Sequence, residues 1–221
     1  ATAYFARGCV YNDLRNNEQA IEDYNKAIEL NPQYAEAYKN RGNAYGDLGN
    51  TQQAILDYNK AIKLNPKYAV AYINRGLAYA RLGVTQQAIK DYSKAIELNP
   101  KHAETYYYRG VSYHTLGNYQ QAIKDHSKAI KLNAQFAEAY CRRGFTYILL
   151  GKYQQAIKDL NRAIELDPQY AEAYLFRGLA YGKSDNFQLD IENFKIAARL
   201  GHEKAQDFLR AELLNFDFDA R

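Results

Sequence analysis

The chain repeats itself every 34 residues. The stretch AEAYKNRGNAYGDLGNTQQAILDYNKAIKLNPKY, from Ala35 to Tyr68, is followed at once by a near-copy that begins at Ala69. A unit of that size cannot bury a core alone, so the period requires neighbouring units to stack and share one. Laid in rows of 34 from Ala1, six rows reach Lys204. Tyrosine recurs at Tyr4, Tyr38, Tyr72, Tyr106, Tyr140 and Tyr174, and glycine at Gly8, Gly42, Gly76, Gly110, Gly144 and Gly178. A second tyrosine column runs from Tyr11 to Tyr181, and alanine recurs from Ala27 to Ala197. Within each half-row these columns lie three, four or seven apart, which is helical spacing.

Each row therefore reads as two amphipathic helices. A glycine in the first helix facing an alanine in the second (Ala20, Ala54 and equivalents) lets the two backbones approach closely. Gly49, Gly83, Gly117 and Gly151 stand where a left-handed residue ends the first helix. Asn16, Asn50 and Asn118, each followed three residues later by glutamine, have the spacing of capping boxes for the second. Pro32, Pro66, Pro100 and Pro168 bias the preceding residue away from helix. The isoleucine stripe (Ile21, Ile28, Ile55, Ile62) needs the next hairpin to cover it.

Composition excludes more than it suggests. Net charge is +4, with 29 basic and 25 acidic residues mixed along the helices, so no nucleic-acid partner is expected. Apolar runs such as Tyr147–Leu150 are far shorter than the roughly 20 residues of a membrane span. The N-terminal residues lack the regions of a signal peptide. The absence of methionine fits a piece of something longer. Cys9 and Cys141 occupy different columns and have no metal-type spacing, which fits free thiols and a cytoplasmic location.

The pattern Tyr-x3-Gly-x2-Tyr, then Ala, an aromatic, Ala and Pro, at period 34, resembles the tetratricopeptide repeat across residues 1–204. The resemblance implies an all-α fold: an α-solenoid, a right-handed superhelix of six antiparallel helix pairs (1–34, 35–68, 69–102, 103–136, 137–170, 171–204). The first helix of each pair would line a concave groove that holds a peptide or helix of a partner protein. The end rows depart from the pattern, with Arg15 and Asp185 in place of the turn glycine, Asp190 for alanine, and Gly201-His202 for Asn-Pro. Atypical end rows are expected of solenoid caps. Residues 205–221 are expected to be a capping helix and a frayed tail. Ala205, Phe208, Leu209 and Leu213 share one face of a helix from Glu203 to Leu214, and Asn215–Arg221 follows. With no such cap before Ala1, more protein or a partner chain is expected there.

Arginine fills one column of all six rows (Arg7, Arg41, Arg75, Arg109, Arg143, Arg177) and aspartate another in five (Asp23, Asp57, Asp91, Asp125, Asp159), with Asn193 in the sixth. A matching acid in nearly every row points to structural pairs rather than a phosphate-reading ladder. From the family's groove columns, Lys39, Asn40, Asn43 and Asn74 supply polar lining. Lys39, Asn43 and Asn74 resemble half of the carboxylate clamp with which some chaperone-binding members hold a peptide C-terminus. Glu104 and Tyr108 stand where the other, basic half belongs.

Farther along, Tyr107, Tyr108, Arg142, Phe145 and Phe176 have hot-spot composition. Their neighbours Ile73, Val111, Leu149 and Leu175 divide between groove and core. His126 replaces a core tyrosine, and the four histidines form no metal motif. With no phosphate loop, catalytic triad or HExxH, no enzyme, cofactor or metal is expected. The chain reads as a protein-interaction scaffold, with structural self-association, through row one or through a Phe216–Phe218 tail, as the alternative.

Overall fold

The computed structural model describes residues 1–184 and 186–219, with side chains as far as Ala211 in the last helix. Among the described residues there are thirteen helices and no strand. They fall into two compact units, Ala1–Leu116 and Gly117–Arg221. The first holds α1 (Thr2–Asp13), α2 (Asn17–Leu30), α3 (Ala35–Asp47), α4 (Thr51–Leu64), α5 (Ala69–Arg81), α6 (Thr85–Leu98) and α7 (Ala103–Thr115). The second holds α8 (Tyr119–Leu132), α9 (Ala137–Leu149), α10 (Tyr153–Leu166), α11 (Ala171–Gly182), α12 (Phe187–Arg199) and α13 (Glu203–Asp219). Within each unit, helices consecutive in the chain pack against one another.

Inside a hairpin the recurring glycine makes room for a ring. A Cβ on Gly8, Gly42 or Gly76 would fall 2.8, 2.7 or 2.6 Å from the ring of Tyr24, Tyr58 or Tyr92. The expected glycine–alanine contact is therefore only part of the packing: alanine contributes its backbone carbonyl, and the main occupant is the tyrosine four residues on. In α9 and α10 the same hole takes Leu160, 2.9 Å from a Cβ on Gly144.

The first turn is a Schellman motif in the hairpins that carry Gly49, Gly83 and Gly151. Gly49, Gly83, Gly117 and Gly151 have φ of +80°, +74°, +74° and +69°. The amide after Gly49 donates to Tyr45 O at 2.8 Å, and that of Gly49 itself to Gly46 O at 3.1 Å. Arg15 adopts the same left-handed conformation, φ +59°, with Asn16 N donating to Tyr11 O at 2.8 Å. The Asp185 turn lies outside the described residues. A side-chain cap forms at Asn16, which accepts from Gln19 N, but not at Asn50 or Asn118. Those two capping boxes are absent, and Asn186, accepting from Leu189 N, makes a cap that spacing alone did not suggest.

Proline is not what unites the second turns. Asn31, Asn65, Asn99, Asn133 and Asp167 each accept, through Oδ1, the backbone N–H two residues on, at 2.9–3.3 Å. This Asx turn forms at Asn133 although Ala134 replaces the proline.

The arginine and aspartate columns meet. Arg41 Nε and Nη2 donate to Asp57 Oδ2 and Oδ1 at 2.8 and 2.6 Å, and Arg7–Asp23, Arg75–Asp91 and Arg143–Asp159 repeat this fork. The four aspartates are buried. The remaining nitrogen reaches the preceding hairpin: Arg41 Nη1 donates to Asn25 Oδ1 at 2.6 Å, Arg75 to Asn59 at 2.7 Å, Arg143 to Ser127 Oγ at 2.8 Å and Arg177 to Asn161 at 2.7 Å. Arg177 donates through Nε to Asn193 Oδ1 at 2.8 Å, so the neutral variant keeps a bond. The Arg7 guanidinium, by its hydrogen bonds, holds the Asp23 carboxyl below the usual carboxylate range.

At the far end α13 covers the last hairpin as expected. Ala205 is fully buried, Leu209 packs on the core, and the Phe208 ring lies 4.4 Å from that of Phe194. The helix continues to Asp219, past the expected end at Leu214. The Leu213, Phe216 and Phe218 side chains and residues 220–221 lie outside the described residues.

Two stability measurements test these interactions. Asp91→Ala leaves Arg75 facing an apolar gap and should cost roughly 3 kcal/mol in urea unfolding. Asp91→Asn, which copies the Arg177–Asn193 pairing, should cost clearly less; equal losses would count against the fork. Arg15→Gly relieves a left-handed residue that carries a Cβ and should stabilise the chain by about 1 kcal/mol.

Candidate functional site

Once the glycine, tyrosine, arginine and aspartate columns are committed to packing, the helices α3, α5, α7, α9 and α11 keep one face of variable composition. Across α3 and α5 that face carries a polar cluster. Asn43 Oδ1 accepts from Tyr58 OH at 2.9 Å and from Asn74 Nδ2 at 2.8 Å, joining α3, α4 and α5. These three side chains line a cavity of about 260 Å³ with Asn12, Gly46, Asp47 and Arg81. Asn12, Asp47 and Arg81 stand at the twelfth or thirteenth position of their rows, which the family resemblance also assigns to the groove. What sequence reasoning missed is that they share a cavity with Asn43 and Asn74.

Lys39 does not join them. Its ammonium donates to Asn40 Oδ1, and Asn40 Nδ2 donates to Cys9 Sγ at 3.2 Å. Burial lowers the Lys39 pKa. The expected half-clamp thus divides into two polar clusters, Lys39–Asn40–Cys9 and Asn43–Asn74–Tyr58. Glu104, expected to oppose an anion, lies 3.4 Å from His102 Nδ1.

On α7, Tyr107 and Tyr108 are half-buried and meet edge to face at 5.6 Å, and Tyr108 also stacks on Tyr92 at 6.0 Å. In the second unit Phe145 is half-buried and stacked on Phe176, with centroids 4.3 Å apart. Phe176 itself is 7% exposed and belongs to the core, so it supports Phe145 and is not itself an accessible contact. Ile73 and Leu175 are likewise buried, whereas Leu149 is exposed. Arg142 Nη2 pairs with Glu172 Oε2 at 3.1 Å, and the same oxygen accepts from Tyr170 OH at 3.2 Å.

His126 is buried, as a residue in a core column should be. Among the described residues no three His, Cys, Asp or Glu side chains gather as a metal site, and no helix is long and apolar enough to cross a membrane. Neither cysteine is in a disulfide. Cys141 is fully buried, and burial pushes its thiol up to about 12.

Helical hairpins coupled by an arginine fork, with one variable face left over, define a helical-repeat protein. The tetratricopeptide repeat signature matches residues 35–68, 69–102, 103–136 and 137–170, and a related TPR repeat signature matches residues 3–49. The chain belongs to the tetratricopeptide repeat family. No curated protein sequence matches it significantly. Among solved structures it is similar to MamA, at 29% identity over 75% of this chain and 96% of that one, TM-score 0.68. It also resembles YrrB, described as a TPR protein with an unusual peptide-binding site, at 24% identity over 85% and 97% of the two chains, TM-score 0.70. PilF of Pseudomonas aeruginosa, at 19% identity over 96% of each chain, gives a TM-score of 0.82. These last two likenesses are likenesses of fold.

The burial of Cys141 has a direct chemical consequence. A thiol reagent at pH 8 should modify one cysteine of the folded chain promptly and Cys141 only after denaturant is added. Prompt modification of both would contradict the packing around α9.

Proposed function

We propose that the chain is an interaction scaffold of six repeats, residues 1–204, capped by α13, which binds a peptide or helical segment of a partner protein. The observation that carries this is a division of labour among columns. Residues that repeat from row to row are used in packing, and those that differ, Lys39, Asn43, Asn74, Tyr107, Tyr108, Arg142 and Phe145, remain partly accessible. Tyr107, Tyr108 and Phe145 are half-buried, and Arg142 stands three residues before Phe145. Half-exposed aromatics with an arginine are what a protein partner uses as anchors. A surface already ordered by its own hairpin loses little entropy on binding.

The first unit would set register through Asn43 and Asn74, with affinity from Tyr107 and Tyr108. The second unit, taken by itself, presents Phe145, stacked on Phe176, and Arg142. Lys39, tied to Asn40, gives electrostatic attraction at the edge of the surface.

A second reading, self-association, rests on α1. Ala3 and Val10 are exposed, whereas their counterparts Ala37, Ala44, Ala71, Ala78, Ala139, Thr146, Ala173 and Ala180 are buried. The Arg7 side chain is 59% exposed against 16% for Arg41 and 18% for Arg75. Light scattering of the intact chain, of Val10→Asp and of a chain ending at Leu214 distinguishes the two readings. A homo-oligomer dispersed by either change favours self-association.

For the scaffold reading, peptides selected from a displayed library on the intact chain should lose at least about tenfold in affinity for the Lys39→Ala, Tyr108→Ala double variant. Helicity by circular dichroism should stay constant. Unchanged affinity would remove these residues from the binding surface.

A further inference from the structure

The cavity shared by α3, α4 and α5 is kept open by a glycine that packing does not require. A Cβ on Gly42 would collide with Tyr58, but a Cβ on Gly46, one turn later, would meet Tyr58 OH, Ala54 Cβ and Arg81 Nη1 only at 3.9–4.0 Å. Gly46 does not have a positive φ and lies within α3, where alanine is the better helix former. The absent side chain adds to the cavity of about 260 Å³, several times the roughly 30 Å³ of one water.

The polar atoms around it are incompletely used. Asn12 Oδ1 is buried and has no hydrogen-bond partner. Both lone pairs of Asn43 Oδ1 are occupied by Tyr58 OH and Asn74 Nδ2, which leaves the Asn43 amino group as donor and the Asn74 carbonyl oxygen as acceptor. The lining carries one acid, Asp47, and one base, Arg81, whose Nη1 donates to Gly46 O at 3.3 Å. Burial raises the Tyr58 pKa, so its hydroxyl stays neutral.

We propose that this cavity is a carboxamide pocket: it takes the side-chain amide of an asparagine or glutamine in a bound peptide. The incoming amino group would donate to Asn74 Oδ1, and its carbonyl would accept from Asn43 Nδ2. A carboxylate has no proton to give Asn74 and faces Asp47. An ammonium finds Arg81 and cannot accept from Asn43. A ligand that pairs both the Asn43 donor and the Asn74 acceptor is selected over one of the same shape that leaves either unpaired on burial. The proposal rests on the peptide-binding reading for its ligand, but the pocket can be tested alone.

The isotope-labelled intact chain is titrated with N-acetylglutamine methylamide, N-acetylglutamate methylamide and sodium acetate, following the side-chain amide signals of Asn12, Asn43 and Asn74. The glutamine compound should give saturable shifts and bind at least about tenfold more tightly than the glutamate compound. Gly46→Leu should abolish the shifts. Gly46→Ala, whose methyl meets only ordinary contacts, should weaken them in a chain that stays folded. Equal or tighter binding of glutamate or acetate would make this an anion site. That result, no saturable shift with glutamine, or shifts that survive both substitutions would overturn the proposal.

The two readings fail separately. If library peptides bind but tolerate Gln→Glu exchange, the pocket is wrong and the scaffold stands. If the glutamine compound binds and no peptide does, the pocket stands and the scaffold reading falls.

Discussion

A buried carboxylate held by a two-pronged arginine is the interaction on which the hairpins depend. An aspartate at the position of Asp57 or Asp91 would be strongly destabilising without a partner, because an ion out of water must be both neutralised and hydrogen-bonded. Arg41 and Arg75 do both at once, and their planar fork matches both carboxylate oxygens. The same guanidinium lies over a tyrosine ring, 5.5 Å from the Tyr38 or Tyr72 centroid, and uses its last nitrogen on the hairpin before it. One side chain thus closes its own hairpin and fastens it to a neighbour. Each hairpin's stability is thereby linked to the hairpin beside it.

The second constraint is volume. A ring projecting from the second helix needs a hole in the first, and glycine supplies it at Gly8, Gly42 and Gly76. Where the ring becomes Leu160 the glycine remains, since the leucine still occupies the hole. The left-handed turn, by contrast, takes Arg15 at a conformational cost, and a Cβ at the equivalent Gly49, Gly83 or Gly151 would meet nothing within 4 Å. Packing makes one glycine column strict, and turn geometry makes the other a preference.

Much of this was legible in the sequence. Co-occurring Arg and Asp columns announced the fork, and the end of the pattern near Gly201 announced the cap helix. The contact partner of the packing glycine was not legible, because Ala54 and Tyr58 lie one turn apart on the same face of α4 and spacing cannot rank them. The capping boxes at Asn50 and Asn118 failed for a related reason, since suitable residue types do not set a side chain's rotamer. At the site, Phe145 and Phe176 looked equivalent as letters in neighbouring rows. Stacking buries one beneath the other.

By itself the sequence determined the helices, their turns, the family and the fork, because a strict period repeats each local interaction until chance is excluded. The tertiary structure alone decided which polar groups work together. Lys39 and Asn43 sit one turn apart on α3, yet Lys39 donates to Asn40, which reaches Cys9 on α1, while Asn43 accepts from Asn74 on α5, and the two fall into separate clusters. Asn12, Gly46 and Arg81 come from three rows and meet at one cavity. A hydrogen bond or a void depends on distances of tenths of an ångström between segments far apart in the chain, and periodicity carries no such information.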